Sequence, residues 1–400
     1  VIPIFPHFHA ALRMLDLCLC DKLFTLFNCK RFPGNCQGMD GKKKSVSRLT
    51  LISENAKIKQ LVFGNNKLID KENGMSVKFH NFGGALGWNL QKRFPKLSSE
   101  SYLKLQFLTR NKLQEKYIEY FYKNGEPPMP LVVNLETINR CNSTCSFCTA
   151  NKNAEKRPYK RMEESLFYSI IDQLADWGYK GHLTLYGNNE PFLDTRVTEF
   201  HKYCRQKLPD CFIFLSTNGL LLTVDKVKEI IPYVDQLIIN NYCRDMKLHD
   251  NIKEIYDYAK SHEEEFQDVE LLVQMRYMDA VLTNRAGSAP NKQNDRKIIR
   301  ETCLMPYTDM FIFPDGRMGI CCCDNFEKST LADLNVTPLK EAWNSAAYQN
   351  LRQAIRKSRA GYDFCKYCDF IDAGLRMDMV DDTLKNKAAN HGARQSLFRK

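Results

Sequence analysis

The sequence predicts an α/β fold of parallel βαβ units that close most economically into a full or partial barrel. Two observations predict it: five short apolar runs between residues 131 and 278 read as strands, and stretches of helical period separate them. Parallel neighbours in a sheet need a crossover, usually a helix, so a regular alternation points to a parallel sheet.

LVVNLE (131–136) reads as the first strand. The spacing of Leu166, Phe167, Ile170, Ile171, Leu174 and Trp177 predicts a helix from about Glu163 to Trp177, with Gly178 as its stop. There follow HLTLYG (182–187), a helix around Thr195 to Leu208, CFIFLSTNG (211–219), a helix around Val224 to Ile231, QLIIN (236–240), a helix around Ile252 to His262, and VELLVQMRYM (269–278). After a polar stretch near Asn291 to Lys297 the rhythm breaks. MFIFP, the turn Pro314-Asp315-Gly316 and RMGIC read as a β-hairpin. A helix from about Pro338 to Ser358 and the pair Cys365-x-x-Cys368 come next, so this region looks like a small cysteine-bearing module appended to the barrel. Upstream, Ser101 to Lys123 reads as an amphipathic helix ending before Gly125 and Pro127-Pro128. The expected division is an N-terminal extension of unassigned role (1–125), a core barrel (126–295), the module (296–375) and a basic tail (376–400).

With 44% hydrophobic and 26% charged residues, the chain has the composition of an ordinary globular protein, which excludes a disordered or fibrous one. The net charge of +11 is spread along the chain, with small concentrations only at Lys42 to Lys44 and from Lys385 to Lys400. Such a spread argues for a solvated surface rather than a nucleic-acid footprint. No apolar run approaches the roughly 20 residues needed to span a bilayer. The most apolar stretch, Val1 to Phe27, is broken by His7, His9, Arg13, Asp16, Asp21 and Lys22 and has no clear secretory signal, so the expected location is the cytoplasm. Sixteen cysteines then need a reason other than disulfides, and metal binding is the leading one. Cys18, Cys20, Cys29 and Cys36 match no ligand spacing; two groups of cysteines after residue 140 do.

Cys141-Asn-Ser-Thr-Cys145-Ser-Phe147-Cys148 follows the first barrel strand, at the end where βα-barrel enzymes place their chemistry. Three thiolates on one loop can ligate three irons of a cubane and leave the fourth open, whereas a purely electron-transferring [4Fe-4S] centre takes four. A C-x-x-x-C-x-x-C loop with an aromatic residue before its last cysteine resembles the signature of the radical S-adenosylmethionine (AdoMet) superfamily. That resemblance implies a [4Fe-4S] cluster whose open iron binds AdoMet. It further implies reductive cleavage to a 5′-deoxyadenosyl radical that abstracts hydrogen from a substrate, and a partial (β/α)6 TIM-like barrel. LTLYGNNEP (183–191) is similar to the family's glycine-rich AdoMet-binding segment, which nominates Gly187, Asn188, Asn189 and Glu190 as contacts. Asn188 and Asn189 stand where glycines are usual, and Asn tolerates the positive φ that glycine allows. By the same resemblance Ser216 and Asn218 in LSTNG, Asn240 in LIINNY and Phe147 line the AdoMet site, and Arg276 pairs with its carboxylate, with Arg285 as a rival.

Cys303, a Gly316-x-x-x-x-Cys321 segment and Cys365-x-x-Cys368 resemble the auxiliary-cluster module called SPASM, here in the shortened form known as twitch, since no cysteine follows Cys368. Cys303, Cys321, Cys365 and Cys368 suffice for a second [4Fe-4S] cluster. Among the consecutive Cys321, Cys322 and Cys323, alternation along a strand makes Cys323 the geometric rival and Cys322 the weakest candidate. The four-cysteine spacing looks most like aminocyclitol dehydrogenases. It implies an oxidoreductase-like enzyme that oxidises or rearranges a carbohydrate-like or other small polar molecule, with the auxiliary cluster accepting an electron. An external donor such as flavodoxin or ferredoxin is expected, and no membrane partner. Removal of the hydroxyl proton requires a base, for which Arg276, Tyr186, Tyr242 and Tyr277 lie at or near strand ends. Two alternatives stand beside this reading: a peptide-modifying maturase of the same superfamily, and a zinc protein that binds RNA.

Overall fold

The computed structural model describes residues 77–81, 93, 113–123, 125–153, 155–294, 296–370, 379–380 and 383–384. Cys18, Cys20, Cys29 and Cys36, residues 101–112 of the expected upstream helix and the tail beyond 384 lie outside them.

Nine strands are described: β1 (Val77–Asn81), β2 (Val132–Leu135), β3 (His182–Thr184), β4 (Phe212–Thr217), β5 (Gln236–Cys243), β6 (Glu270–Tyr277), β7 (Asp309–Ile312), β8 (Arg317–Gly319) and β9 (Ala332–Asp333). They form one sheet in the order β1-β6-β5-β4-β3-β2-β7-β8-β9. Pairing is parallel from β1 to β7 and antiparallel from β7 to β9. The five predicted barrel strands therefore lie side by side in chain order. Two outcomes differ from the sequence reading. A strand from the motif-free upstream region, β1, pairs in parallel with β6 from Val77 opposite Leu271 to Asn81 opposite Met275. β7, expected only as one arm of a hairpin, also pairs in parallel with β2, so the cysteine-bearing module continues the barrel's own sheet.

Helix α1 (113–123) buries Tyr117, Ile118 and Phe121. The crossovers from β2 to β6 are α2 (Glu164–Asp176), α3 (Val197–Lys207), α4 (Val224–Ile230) and α5 (Asp250–Ser261). Phe167, Ile170, Ile171 and Leu174 recur every three or four residues along α2 and are all buried. Gly178, at φ +73°, ends that helix in the left-handed conformation, which costs a residue with a side chain more. α6 (Met305–Thr308) leads into β7. The single helix expected over 338–358 is two, α7 (Leu339–Trp343) and α8 (Ala346–Ile355). Ser345 makes the break, because its side chain accepts from Tyr348 N and caps the second helix.

Burial alternates along the barrel strands. On β4, β5 and β6 the residues Ile213, Leu215, Leu237, Ile239, Leu271 and Val273 are fully buried under the helices. The opposite face, with Ser216, Tyr242 and Arg276, is half-buried and looks into the lumen. Side-chain period therefore decides which polar groups reach the site.

His201 on α3 is fully buried; one ring nitrogen lies 2.7 Å from Val197 O and the other has no partner. Burial depresses its pKa to about 4. Between pH 6.5 and that value the unfolded chain binds the proton that the folded chain refuses, so stability falls as pH falls through this window. Urea titrations from pH 7.5 to 5.5 are expected to show the parent losing on the order of 1 kcal/mol more than His201→Gln; parallel pH curves would refute the assignment.

Candidate active site

A cavity of about 230 Å³ opens at the C-terminal ends of the parallel strands. Cys141, Cys145 and Cys148 form one wall with Phe147, and the segment Gly187–Glu190 after β3 forms the next. Ser216 and Asn218 from β4 and its end, Asn240 from β5 and Arg276 from β6 complete the lining, so the structure brings together every site residue that the sequence nominated for the barrel. Tyr186, Tyr242 and Arg285 also line it, whereas Tyr277 does not.

The cysteine loop is held by its own polar groups. Ser143 N donates to Cys141 Sγ at 3.4 Å, Ser143 Oγ lies 3.1 Å from Cys145 Sγ, and Asn151 Nδ2 donates to Cys145 O at 2.9 Å. Asn218 Nδ2, anchored on Asn142 Oδ1 at 2.8 Å, reaches Cys141 Sγ at 3.7 Å. Burial pushes the Cys141 thiol up to about 12 and the Cys145 thiol up to about 11, so a ligand that takes these sulfurs must displace their protons, as a metal does. Among the described residues no three His, Cys, Asp or Glu side chains converge as they would on a single ion. The cavity lining holds three cysteines and no fourth, a donor set that suits a cluster with one open iron better than a closed four-thiolate zinc site.

Opposite the sulfurs runs a polar ladder. Asn240 Nδ2 donates to Ser216 Oγ at 2.8 Å, and Arg276 Nε donates to Asn240 Oδ1 at 3.0 Å. Asn189 Oδ1 accepts from Gly187 N at 3.0 Å, but its Nδ2 is buried without a partner, a donor suited to an acceptor on a ligand. Neither Asn188 nor Asn189 adopts positive φ, so the backbone here does not need the glycines these residues replace. The close approach falls on Gly187, where a Cβ would lie 2.5 Å from the Phe311 ring and 2.9 Å from Glu136 Oε1. Glu190 lines the cavity with its carboxylate engaged: Oε1 accepts from Thr217 Oγ1 at 2.6 Å and Phe192 N at 3.2 Å, and Oε2 from Asn218 N at 2.7 Å. It fixes the β3 end against the β4 end. Burial holds the phenol of Tyr242 above its ordinary range, so at neutral pH it carries its proton.

The second constellation forms a small cavity lined by Cys303, Cys321, Cys323, Cys365, Cys368 and Arg359 among others. Cys321 and Cys323 both face it, and Cys322 is not part of its lining, in keeping with alternation along the chain. The Cys368 thiol is held below its ordinary range by a hydrogen bond from Cys323 and by Arg359.

Sequence reasoning missed what joins the two constellations. The Cys322 carbonyl accepts from Asn188 Nδ2 at 3.0 Å, and Arg285 bridges Asn188 Oδ1 at 2.7 Å and Asn325 Oδ1 at 3.1 Å. Buried Glu327 of the module receives Arg157 at 3.3 Å, Asn139 at 3.2 Å, Arg317 at 2.9 Å and also Lys160, which clamps both flanks of the 141–148 loop. No local pattern announces Glu327; its partners are more than 150 residues away, apart from the hairpin's own Arg317.

Residues 135–261 match the Radical SAM superfamily, and residues 303–369 match SPASM, an iron-sulfur cluster-binding domain. Over 240 residues the chain is 21% identical to an S-adenosyl-L-methionine-dependent 2-deoxy-scyllo-inosamine dehydrogenase of Niallia circulans, covering 60% of this chain and 92% of that one. The crystal structure of BtrN in complex with AdoMet and 2-DOIA superposes with a TM-score of 0.53 at 19% identity, over 62% of this chain and 96% of that one, which is a likeness of fold. With the cysteine spacing, the parallel sheet and the two cysteine-lined cavities in place, the chain carries a radical SAM domain followed by a SPASM-type domain: it is an oxidoreductase-like enzyme of S-adenosylmethionine and iron-sulfur clusters.

Proposed function

We propose that this enzyme oxidises a hydroxyl group of a carbohydrate-like or other small polar molecule, consuming AdoMet as cosubstrate. The observation that carries the reading is the three-cysteine wall facing a polar ladder across one cavity, with a second cysteine site joined to it through Asn188. The relative from Niallia circulans is a dehydrogenase of an aminocyclitol, and it supports the choice of a hydroxylated small molecule.

In this proposal Cys141, Cys145 and Cys148 hold the AdoMet-binding cluster, and Cys303, Cys321, Cys365 and Cys368 hold the auxiliary one. When bound, the first cluster and AdoMet supply the radical that removes a hydrogen atom, and the auxiliary cluster supplies an electron acceptor. The protein's own groups bind and orient. Ser216 and Asn240 offer hydrogen bonds to ribose hydroxyls, Asn189 Nδ2 offers a donor, and Arg276, steadied by Asn240, neutralises the methionyl carboxylate. Asn218 holds the Cys141 side of the loop in place. Phe147 packs at a tilt against Tyr242, with ring centres 5.9 Å apart, and keeps water from that wall. A small flavodoxin- or ferredoxin-type protein delivers electrons in this scheme. We place the enzyme in a reducing, cytoplasmic setting, where thiols stay available as cluster ligands rather than pairing as disulfides. No helix among the described residues is long and apolar enough to cross a membrane.

Anaerobically reconstituted protein is expected to hold about eight irons per chain and to release 5′-deoxyadenosine with AdoMet and dithionite. The variant with Cys141, Cys145 and Cys148 all changed to Ala should lose about half the iron and all of the deoxyadenosine. Colourless protein with stoichiometric zinc would sink the proposal. Incubated with a panel of cyclitols and sugars, the enzyme should form a ketone or aldehyde with one AdoMet consumed per product; activity confined to a peptide would reverse the choice of substrate. Replacing Arg276 by Met removes a charge-assisted contact of about 1.5–3 kcal/mol. The KM for AdoMet should therefore rise roughly 10- to 100-fold, with the iron content unchanged.

A further inference from the structure

Arg359 is 2% exposed, and the ways in which it is bonded are unusual for a buried cation. Its Nε donates to Glu301 O at 3.0 Å, Nη1 to Cys368 O at 2.7 Å and Phe370 O at 2.8 Å, and Nη2 to Thr302 O at 2.9 Å. All four acceptors are main-chain carbonyls. No carboxylate lies within ion-pairing distance of Arg359 among the described residues, and nearby Asp369 is bonded to Lys292 at 2.6 Å. A guanidinium taken out of water needs counter-charge that carbonyl dipoles supply only in part. The remaining neighbours are sulfurs: Arg359 lines the same small cavity as Cys303, Cys321, Cys323, Cys365 and Cys368, and four of these cysteines, all but Cys321, are among the groups whose negative charge would raise its affinity for its proton. The carbonyls it holds belong to residues 301, 302, 368 and 370, immediately beside Cys303 and Cys368. The guanidinium thus braces both ends of the site and places a fixed positive charge against it.

We propose that Arg359 is the built-in counter-cation of the auxiliary cluster and sets its reduction potential, making it a better electron acceptor. The reduced form of a thiolate-bound cluster carries one negative charge more than the oxidised form, so a fixed, desolvated cation favours reduction. Arg359 touches neither AdoMet nor substrate in this scheme; it is a positioning residue acting through the cluster. The proposal rests on the reading that the SPASM cysteines hold a cluster, and one experiment separates the two.

The test is an anaerobic potentiometric titration, followed by electron paramagnetic resonance, of the full-length parent, Arg359→Lys and Arg359→Gln proteins, with iron counted in each. A parent that lacks the second set of about four irons overturns the cluster reading itself. With that iron present, Arg359→Gln should keep it while the midpoint of one cluster moves to more negative potential, the reduced-to-oxidised ratio at fixed poise falling at least tenfold, about 59 mV for one electron. The other midpoint should not move. Arg359→Lys, which keeps the charge and loses most of the hydrogen bonds, should titrate like the parent. An unshifted Arg359→Gln, equal shifts in both variants, or loss of the auxiliary iron from both would overturn the proposal and leave Arg359 a brace for the two chain segments.

Discussion

The four-residue strand β2 is bonded on both sides, to β3 and to β7, and the placement of both cysteine sites follows from that double pairing. One neighbour ends in the Gly187–Glu190 segment, the other begins the hairpin that leads to Cys321, and the loop leaving β2 itself carries Cys141, Cys145 and Cys148. Strands in one sheet lie about 4.8 Å apart, so the two sites are fixed as neighbours by main-chain hydrogen bonds rather than by a flexible linker. The Glu327 clamp and the Asn188 to Cys322 bond then remove the freedom that a loop between two strands would otherwise keep.

Both sites contain buried groups that resist charging when alone. Burial pushes Cys141, Cys145 and Cys303 well above the ordinary thiol range, and among the described residues Arg359 has no carboxylate within ion-pairing distance. Each is costly by itself. Metal-bound thiolates would remove the cost on both sides at once, because the metal displaces the thiol protons into solution and the negative charge left on sulfur faces the cation. Arg352 differs: it is buried over the rings of Trp343, Tyr348 and Phe121, and its pKa is depressed to about 10 by that burial. One arginine is accommodated by π faces, the other by sulfur, and only the second bears on the chemistry.

The cavity divides its labour by strand. Groups on β4, β5 and β6 pass hydrogen bonds sideways from Ser216 through Asn240 to Arg276, whereas the β3 end contributes close backbone approach at Gly187 and an unpartnered amide on Asn189. Glu190, which the motif alone nominates as a ligand contact, is saturated by Thr217, Phe192 and Asn218. Those bonds tie two strand ends together beside the cavity.

The sequence by itself determined whatever local chemistry and period determine. The 3.6-residue spacing on α2, the alternation on β4 to β6 and the C-x-x-x-C-x-x-C loop each place their side chains through short-range geometry, so the strand–helix order, the lumen-facing Ser216, Asn240 and Arg276, and the three-cysteine wall were all legible. The hairpin was legible for the same reason, because Pro314-Asp315-Gly316 dictates a tight turn and Gly316 adopts φ +83°. Tertiary structure alone decided the rest. That β1 pairs with β6 and β7 with β2 is a choice of partners across more than 170 residues, for which strand composition carries no address. The break at Ser345 was a capping side chain overriding a continuous apolar period. Arg359, Arg285 and Glu327 look like ordinary charged residues in the chain, because a charge acquires its meaning from what the fold removes from around it, and here the fold removes water and leaves sulfur, amide and carbonyl.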